Sequence, residues 1–148
     1  MTKCRSCDKP IEAFMSFGQQ PMGNGLIAPE NLNEQQPTYE LAPAICSACG
    51  LFQLLEQPAA ASMFTEQYPF FTSSSKYMSD HFQKLAQDLL KNYLTMNKKG
   101  FVVDIGSNDG TLLKNFAKAD ITHLGVEPSK CVAEAAKSNG VNTNISFF

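Results

Sequence analysis

The chain has 148 residues, of which 43% are hydrophobic, and its 12 basic and 14 acidic residues give a net charge of -2. This length fits one ordinary domain or two small ones, and the apolar content excludes a chain that is disordered throughout. The acidic balance disfavours nucleic acid as a partner, because a protein that binds a phosphate backbone carries clustered Lys and Arg.

The cellular compartment is inferred from the absence of membrane-spanning and signal-peptide patterns in the sequence. No apolar run approaches the ~20 residues that span a bilayer, and the N-terminus has no apolar core of the kind found in signal peptides. We therefore expect a soluble, cytoplasmic protein with no membrane partner. In that compartment the five cysteines are better explained as thiolates, metal-bound or free, than as disulfides.

Residues 1–60 are predicted to form a zinc-binding domain. Two C-x-x-C pairs, Cys4 with Cys7 and Cys46 with Cys49, can complete a tetrahedron of thiolates around a structural Zn²⁺. The alternative is a redox dithiol, although such a pair is expected near a βαβ pattern and these pairs lie far from one. The module resembles a zinc ribbon, with short strands expected at 39–42 and 51–55.

Residues 61–99 are predicted to be a linker segment followed by a helix. Small residues at 58–62 indicate the boundary, and Ser74 or Ser75 is placed to cap the helix. The helix is expected to run from Met78 to Met96 and to end at Gly100. Its buried stripe is expected to contain Phe82, Leu85, Leu89 and Tyr93, which recur at helical spacing, and Leu90 and Leu94 are expected to widen it.

A strand, a glycine turn and a helix are predicted next. The β-branched run Phe101 to Ile105 is typical of a strand that is buried on both faces, and a helical pattern covers 111–118. Between them, Gly106 and Gly110 allow positive φ and let a ligand approach the backbone. The N-terminus of the following helix would offer free N–H groups to an anion.

The ligand of this turn is inferred from its spacing. The turn lacks the third glycine of the dinucleotide fingerprint, and Glu127 ends the next predicted strand, 121–126, where a carboxylate can accept hydrogen bonds from a ribose. A carboxylate beside the turn and a second one at a ribose suit a ligand that joins an amino acid to a nucleoside. S-adenosylmethionine is such a ligand. A glycine-rich turn without a ligand is the alternative. The expected cofactor-binding residues are Asp104, Gly106, Ser107, Asn108, Gly110 and Glu127.

The last part of the chain, 100–148, is predicted to be the beginning of a Rossmann-like α/β sheet. A helix is expected at 129–138 and a third strand near Val141. A doubly wound sheet needs more strands than these, so we expect the domain to be incomplete. An unpaired sheet edge would also invite self-association.

Five segments in this order resemble the zinc-containing class I methyltransferases that include nucleotide-sugar C-methyltransferases. The resemblance covers essentially the whole chain but only the front part of the family's proteins. The segments are Cys4-x-x-Cys7, Cys46-x-x-Cys49-Gly50-Leu51, Tyr68-x-Phe70-x-Thr72-Ser73-x-Ser75 with His81 downstream, Asp104-Ile105-Gly106-Ser107-Asn108-Asp109-Gly110, and Gly125-Val126-Glu127-Pro128.

The resemblance implies transfer of a methyl group from S-adenosylmethionine to a carbon of a keto-deoxysugar carried by a nucleotide, through an enolate. It assigns catalytic roles to Tyr68 and His81. The alternative is a structural role, as a core tyrosine and as a surface or capping histidine. Phe70 stands where the family often has a second tyrosine. The family's principal base is expected beyond Phe148, so we expect an N-terminal portion with little activity of its own.

Two functions of other classes remain open. The chain could be a zinc-containing binding or assembly module without catalysis, in which case the sheet edge pairs with another chain. It could also be a zinc-ribbon nucleic-acid binder, which the cysteines favour and the acidic balance opposes.

Overall fold

The computed structural model describes residues 2–23, 25–66, 68–94 and 100–148. The chain forms two compact units, residues 1–63 and residues 64–148. Among the described residues, no helix is both long enough and apolar enough to cross a membrane.

The first unit is built from two short antiparallel sheets. Strand β1 (Gln19–Pro21) pairs with β2 (Thr38–Glu40), and β3 (Pro43–Ile45) pairs with β4 (Phe52–Leu54) across the second C-x-x-C pair. The expected strand at 39–42 is therefore wrong in its bounds, because the chain turns where the Ala42 N–H bonds to the Glu40 carbonyl. A 3₁₀ turn (Pro29–Asn31) and helix α1 (Ala60–Met63) complete the unit.

Sulfur makes up much of the first unit's core. The buried cluster consists of Cys4, Ile11, Ala44 and Cys46, and Cys7 and Leu55 pack against it. A core this small buries little apolar surface, and a domain of about 60 residues is already marginal. The order of this unit therefore depends on what the cysteines bind.

The second unit begins with a 3₁₀ turn (Thr72–Ser74) and helix α2 (Lys76–Leu89), which continues into a π-turn (Leu90–Leu94). Ser75 caps α2 as expected, since its Oγ accepts the Met78 N–H at 3.3 Å. The predicted helix end at Met96 lies outside the described residues.

The buried stripe of α2 follows the prediction in part. Leu89, Leu90 and Leu94 pack against the core as expected, beside the fully buried Ala86, whereas Leu85 and Tyr93 are 36% and 78% exposed. A π-turn adds one residue to the helical repeat. It therefore turns Tyr93 away from the core, where a regular helix would have buried it.

A three-stranded parallel sheet forms the centre of the second unit. Strands β5 (Phe101–Ile105), β6 (Thr122–Val126) and β7 (Thr143–Asn144) lie in the order β5-β6-β7. Helices α3 (Leu113–Lys118) and α4 (Lys130–Ser138) connect them. The predicted α/β architecture with a parallel sheet is confirmed, and α3 begins two residues later than expected.

One face of this sheet is bare in the part of the chain that the structure describes. Val102 packs with the helices, but Phe101, Val103 and Ile105 are 59%, 46% and 57% exposed. The expectation that this strand is buried on both faces is therefore wrong. Phe116 of α3 and Ala136 of α4 belong to the same buried core as Val102, so both helices cover one side of the sheet and leave the opposite side uncovered.

Candidate metal centre and glycine-loop site

The two C-x-x-C pairs meet in space. The four Sγ atoms all lie within 4.8 Å of one another, and two contacts join the two knuckles, with Cys4 to Cys49 and Cys7 to Cys46 both at 3.6 Å. Four sulfurs held tetrahedrally at about 2.3 Å from a zinc ion are about 3.8 Å apart. The donor set therefore fits a closed, structural Zn²⁺ site, as the spacing predicts.

The two knuckles have the same backbone design. The Cys4 carbonyl accepts the N–H of Asp8 at 2.9 Å, and the Cys46 carbonyl accepts the N–H of Gly50 at 2.8 Å. Both residues that close these turns have positive φ, 58° at Asp8 and 76° at Gly50. Glycine has no Cβ to oppose that conformation, and aspartate tolerates it better than most residues.

The surroundings of the cluster lower the pKa of two of its cysteines and raise the pKa of a third. Burial disfavours the Cys4 thiolate, yet hydrogen bonds including that from Gln53 lower its pKa to about 6. Backbone hydrogen bonds within the second pair likewise lower the pKa of Cys46. Despite a backbone N–H from Lys9, burial and the neighbouring sulfurs raise the pKa of Cys7 to about 12. A divalent cation bound between the sulfurs would offset the repulsion between neighbouring thiolates.

Gln53 is a member of this site that the sequence did not reveal. It is 6% exposed, its Nε2 lies 3.2 Å from the Cys4 Sγ, and its Oε1 accepts the Arg5 N–H at 3.1 Å. A hydrogen bond of this kind, from Gln53 to the Cys4 sulfur, orients the thiolate toward a bound metal ion. The available signal was a single polar residue in the apolar strand 51–55.

The glycine loop has the predicted backbone conformation. Gly106 and Gly110 have φ values of 74° and 73°, and Asn108 has a φ of 50°. The N–H groups of Gly106 and Ser107 bond to the Val126 carbonyl at 2.8 and 3.3 Å. These bonds fix the loop to the end of β6, so that Glu127 lies beside it.

A pocket of about 70 Å³ opens at this loop. Four of the expected cofactor-binding residues line it, and the wall also contains side chains that the sequence did not single out. The Ser107 hydroxyl is buried and has no hydrogen-bond partner among the described residues. The lining residues are Thr72, Phe82, Asp104, Gly106, Ser107, Asn108, Thr111 and Leu112.

Glu127 lies behind the loop rather than at its open side. Its carboxylate is 5% exposed, with Oε2 accepting the Asn108 N–H at 2.9 Å and Oε1 accepting the Ser129 N–H at 2.8 Å. Each carboxylate oxygen can accept a second hydrogen bond. Contact with a ribose therefore requires the second lone pairs or an exchange of the Asn108 bond.

The glycine loop also holds the hydroxyl-rich segment that precedes α2. Asn108 Oδ1 accepts the Thr72 N–H at 2.9 Å and its hydroxyl at 3.1 Å, while Asn108 Nδ2 donates to the Phe70 carbonyl at 2.9 Å. Asp109 Oδ2 accepts the Ser73 N–H at 2.8 Å. The family-like motif at 68–75 contained these residues but gave no sign of this contact, which spans 36 residues.

The two residues with predicted catalytic roles have aromatic neighbours. The ring of Tyr68 lies 5.7 Å from that of Phe64 and 5.5 Å from that of Phe70. His81 is exposed on α2, 5.4 Å from the ring of Phe82. Phe82 lines the glycine-loop pocket, whereas His81 and Tyr68 are not among its lining residues. Their catalytic roles stay predictions.

Asp104 gives a prediction for the pH dependence of stability. Burial and the charge of Glu127 raise the pKa of Asp104, so its ionised form destabilises the folded state above that raised pKa. We expect Asp104→Asn to raise the melting temperature at pH 7 by a few degrees. The gain should become small near pH 3.5, below the ordinary aspartate pKa of about 3.9, because Asp104 is then mostly protonated in both the folded and the unfolded chain.

Thermal unfolding of the variant at both pH values, followed by circular dichroism, measures this effect. The exposed Asp88 provides the matched control, and Asp88→Asn should change the melting temperature little at either pH. A gain for Asp104→Asn that is equal at both pH values would contradict the electrostatic explanation.

Comparison with known proteins gives two matches. Residues 4–64 match a methyltransferase-type family model described as "Putative zinc binding domain". Over 143 residues, 95% of its length, the chain is 28% identical to the C-methyltransferase NovU of Streptomyces niveus. The match covers 33% of that protein, so the chain spans about a third of the length of this relative.

Proposed function

We propose that this chain binds S-adenosylmethionine at its glycine loop, on the premise of its similarity to a C-methyltransferase and of the match of residues 4–64 to a zinc-binding domain model of methyltransferase type. The reaction that we propose is methyl transfer to carbon. The sheet of the second unit would then be the first part of a Rossmann-like class I methyltransferase domain, with the ligand at the carboxyl ends of its strands.

The pocket at the glycine loop carries the proposal. It lies at the positive-φ turn that follows β5, and four of the expected cofactor-binding residues line it, namely Asp104, Gly106, Ser107 and Asn108. Ligands of open α/β sheets bind at the carboxyl ends of the strands. A pocket at that edge with a carboxylate among its lining residues suits the amino-acid end of the proposed cofactor.

The residues around the pocket suit the ends of the proposed cofactor. Asp104, beside the turn, would accept hydrogen bonds from the ammonium of the methionine part. Glu127 would accept the ribose hydroxyls. The pocket of about 70 Å³ is smaller than the 300–1,000 Å³ of sites that enclose drug-sized ligands, so the described residues would hold only part of the molecule.

S-adenosylmethionine supplies an electrophilic methyl group when it is bound. The substrate that we propose is a keto-deoxysugar on a nucleotide, whose carbon next to the ketone becomes nucleophilic as an enolate when a proton is removed. Tyr68 and His81 would serve on the substrate side, where a hydroxyl and an imidazole can donate to a developing oxyanion or transfer a proton. Zinc takes no part, because four thiolates leave no open coordination position.

The proposal predicts that the 148-residue chain binds S-adenosylmethionine with a dissociation constant in the micromolar range. Isothermal titration calorimetry of the zinc-loaded chain measures it. We expect Glu127→Gln to weaken binding about tenfold, which corresponds to about 1.4 kcal/mol, because the ribose loses a charged acceptor. Glu134→Gln on α4, which is exposed, is the matched control and should bind as the unsubstituted chain does.

No binding at millimolar ligand would contradict the proposed function. The exposed apolar face of β5 favours the second candidate, an assembly module. Size-exclusion chromatography of the same sample separates the two functions. A monomer that binds the ligand supports the first candidate, and a stable oligomer that does not bind it supports the second.

A further inference from the structure

Two successive residues of the glycine loop hold a segment that lies 36 residues earlier in the chain. Asn108 makes three hydrogen bonds to Phe70 and Thr72, and Asp109 makes one to the Ser73 N–H. We call residues 70–73 the clamped segment. These four bonds are separate from the backbone bonds of the 3₁₀ turn Thr72–Ser74, and they attach the segment to the side chains of the loop.

Asp109 is the buried anchor of this arrangement. It is 2% exposed, and its Oδ1 accepts the hydroxyl and the N–H of Thr111 at 2.7 and 3.3 Å while Oδ2 accepts the Ser73 N–H. Burial disfavours its ionised form, but the hydrogen bonds from Ser73 and Thr111 outweigh this effect and lower the pKa of Asp109. The carboxylate is thus charged at neutral pH and committed to these donors.

The clamped segment contributes to the wall of the pocket. Thr72 lines the same space as Gly106 and Ser107, and so does Asn108, whose side chain holds Thr72 in place. If the segment moved away, the pocket would lose a wall and a hydroxyl. A group that touches only the segment can therefore change binding at the loop.

We propose that Asp109 is a positioning residue of the methyl-donor site, which holds the clamped segment so that Thr72 completes the pocket at the glycine loop. The proposal rests on the proposed function and deepens it. It assigns Thr72 to the ligand-contacting wall and makes the binding of the methyl donor depend on a bond at Ser73 that the ligand does not touch.

A purely structural role for Asp109 makes a different prediction. Its bonds to Thr111 resemble those that support the start of a helix. If that were its whole role, removing the carboxylate would destabilise the unit and leave the pocket of the folded molecules unchanged. The bond to Ser73 lies outside this role, and its loss can be observed separately.

Hydrogen exchange and calorimetry on the zinc-loaded chain separate the two roles. In Asp109→Ala we expect the Ser73 amide of the free chain to exchange at least tenfold faster, while amides within β5 and β6 change less than twofold. The dissociation constant of S-adenosylmethionine should rise at least tenfold. Asp88→Ala on the exposed face of α2 is the matched control and should change neither quantity.

A second pair of variants tests the wall itself without removing the anchor. Thr72→Val keeps the shape and the N–H but removes the hydroxyl, whereas Thr72→Ser keeps the hydroxyl. We expect the valine variant to bind the methyl donor at least fivefold more weakly and the serine variant to bind within twofold of the unsubstituted chain. This pair decides the question if Asp109→Ala does not fold.

The outcomes separate failure of the inference from failure of the function. Binding by the unsubstituted chain, with equal affinity in Asp109→Ala and Thr72→Val, overturns the inference and leaves the proposed function standing. Uniformly faster exchange throughout the second unit with unchanged affinity also overturns it. No binding by the unsubstituted chain overturns the proposed function and, with it, the role of Asp109 in a methyl-donor site.

Discussion

Replacing Cys46 by serine is expected to abolish zinc binding and to unfold the first unit. Cys46 is 1% exposed and belongs to both the four-sulfur cluster and the small apolar core. Structural zinc in small domains contributes about 10–16 kcal/mol of apparent binding free energy. Because a unit of 63 residues has little other core, losing most of that free energy exceeds its stability.

Metal analysis and NMR spectroscopy measure this expectation. The unsubstituted chain should contain one zinc ion per chain, and Cys46→Ser should contain nearly none and lose the dispersed amide resonances of residues 2–63. Removing zinc from the unsubstituted chain with a chelator should have the same effect. Cys131→Ser is the control, because Cys131 lies outside the cluster and serine can also donate to the Tyr68 carbonyl.

A Cys46→Ser chain that keeps a folded first unit would contradict the structural role of the metal. So would an unsubstituted chain that is folded but takes up no zinc when the ion is supplied.

Replacing Gly110 by alanine is expected to destabilise the second unit by about 2–5 kcal/mol. The φ of Gly110 is 73°, which costs an L-residue roughly 1–2 kcal/mol. A Cβ at this position would also lie 2.8 Å from Val141 Cγ2 and 3.0 Å from the Ala136 Cβ. Overpacking of this kind costs about 1–3 kcal/mol more.

Gly106 provides a matched control within the same loop. Its φ of 74° is almost the same, but a Cβ there would meet nothing within 4 Å. Gly106→Ala should therefore cost only the conformational part, about 1–2 kcal/mol. Urea unfolding of both variants measures the difference, and equal costs would contradict the packing assigned to Gly110.

Features encoded by short spacings could be read from the sequence. The thiolates of each C-x-x-C pair converge because both lie on one tight turn, so only the meeting of the two pairs needed tertiary structure. Positive φ at Gly106 and Gly110 follows from glycine's lack of a Cβ, and capping by Ser75 follows from its place before an apolar stripe.

Features that depend on distant neighbours could not be read in this way. The periodicity of α2 predicted a buried stripe that included Tyr93, but a π-turn shifts the repeat and leaves Tyr93 exposed, while Leu94 packs against the core as predicted. The apolar composition of β5 predicted cover on both faces, although composition does not say which elements are present to cover a face. Gln53 and Asp109 reach their partners across 49 and 36 residues.

The sequence by itself determined the thiolate donor set, the alternation of strands and helices in the second unit, and the glycine turn, because each depends on residues close together in the chain. Only the tertiary structure decided that Asp109 and Asn108 hold the segment at Thr72, and that Glu127 lies behind the loop with both oxygens bonded to backbone N–H groups. These contacts form between segments that folding brings together, and a polar side chain can satisfy its hydrogen bonds with any nearby donor.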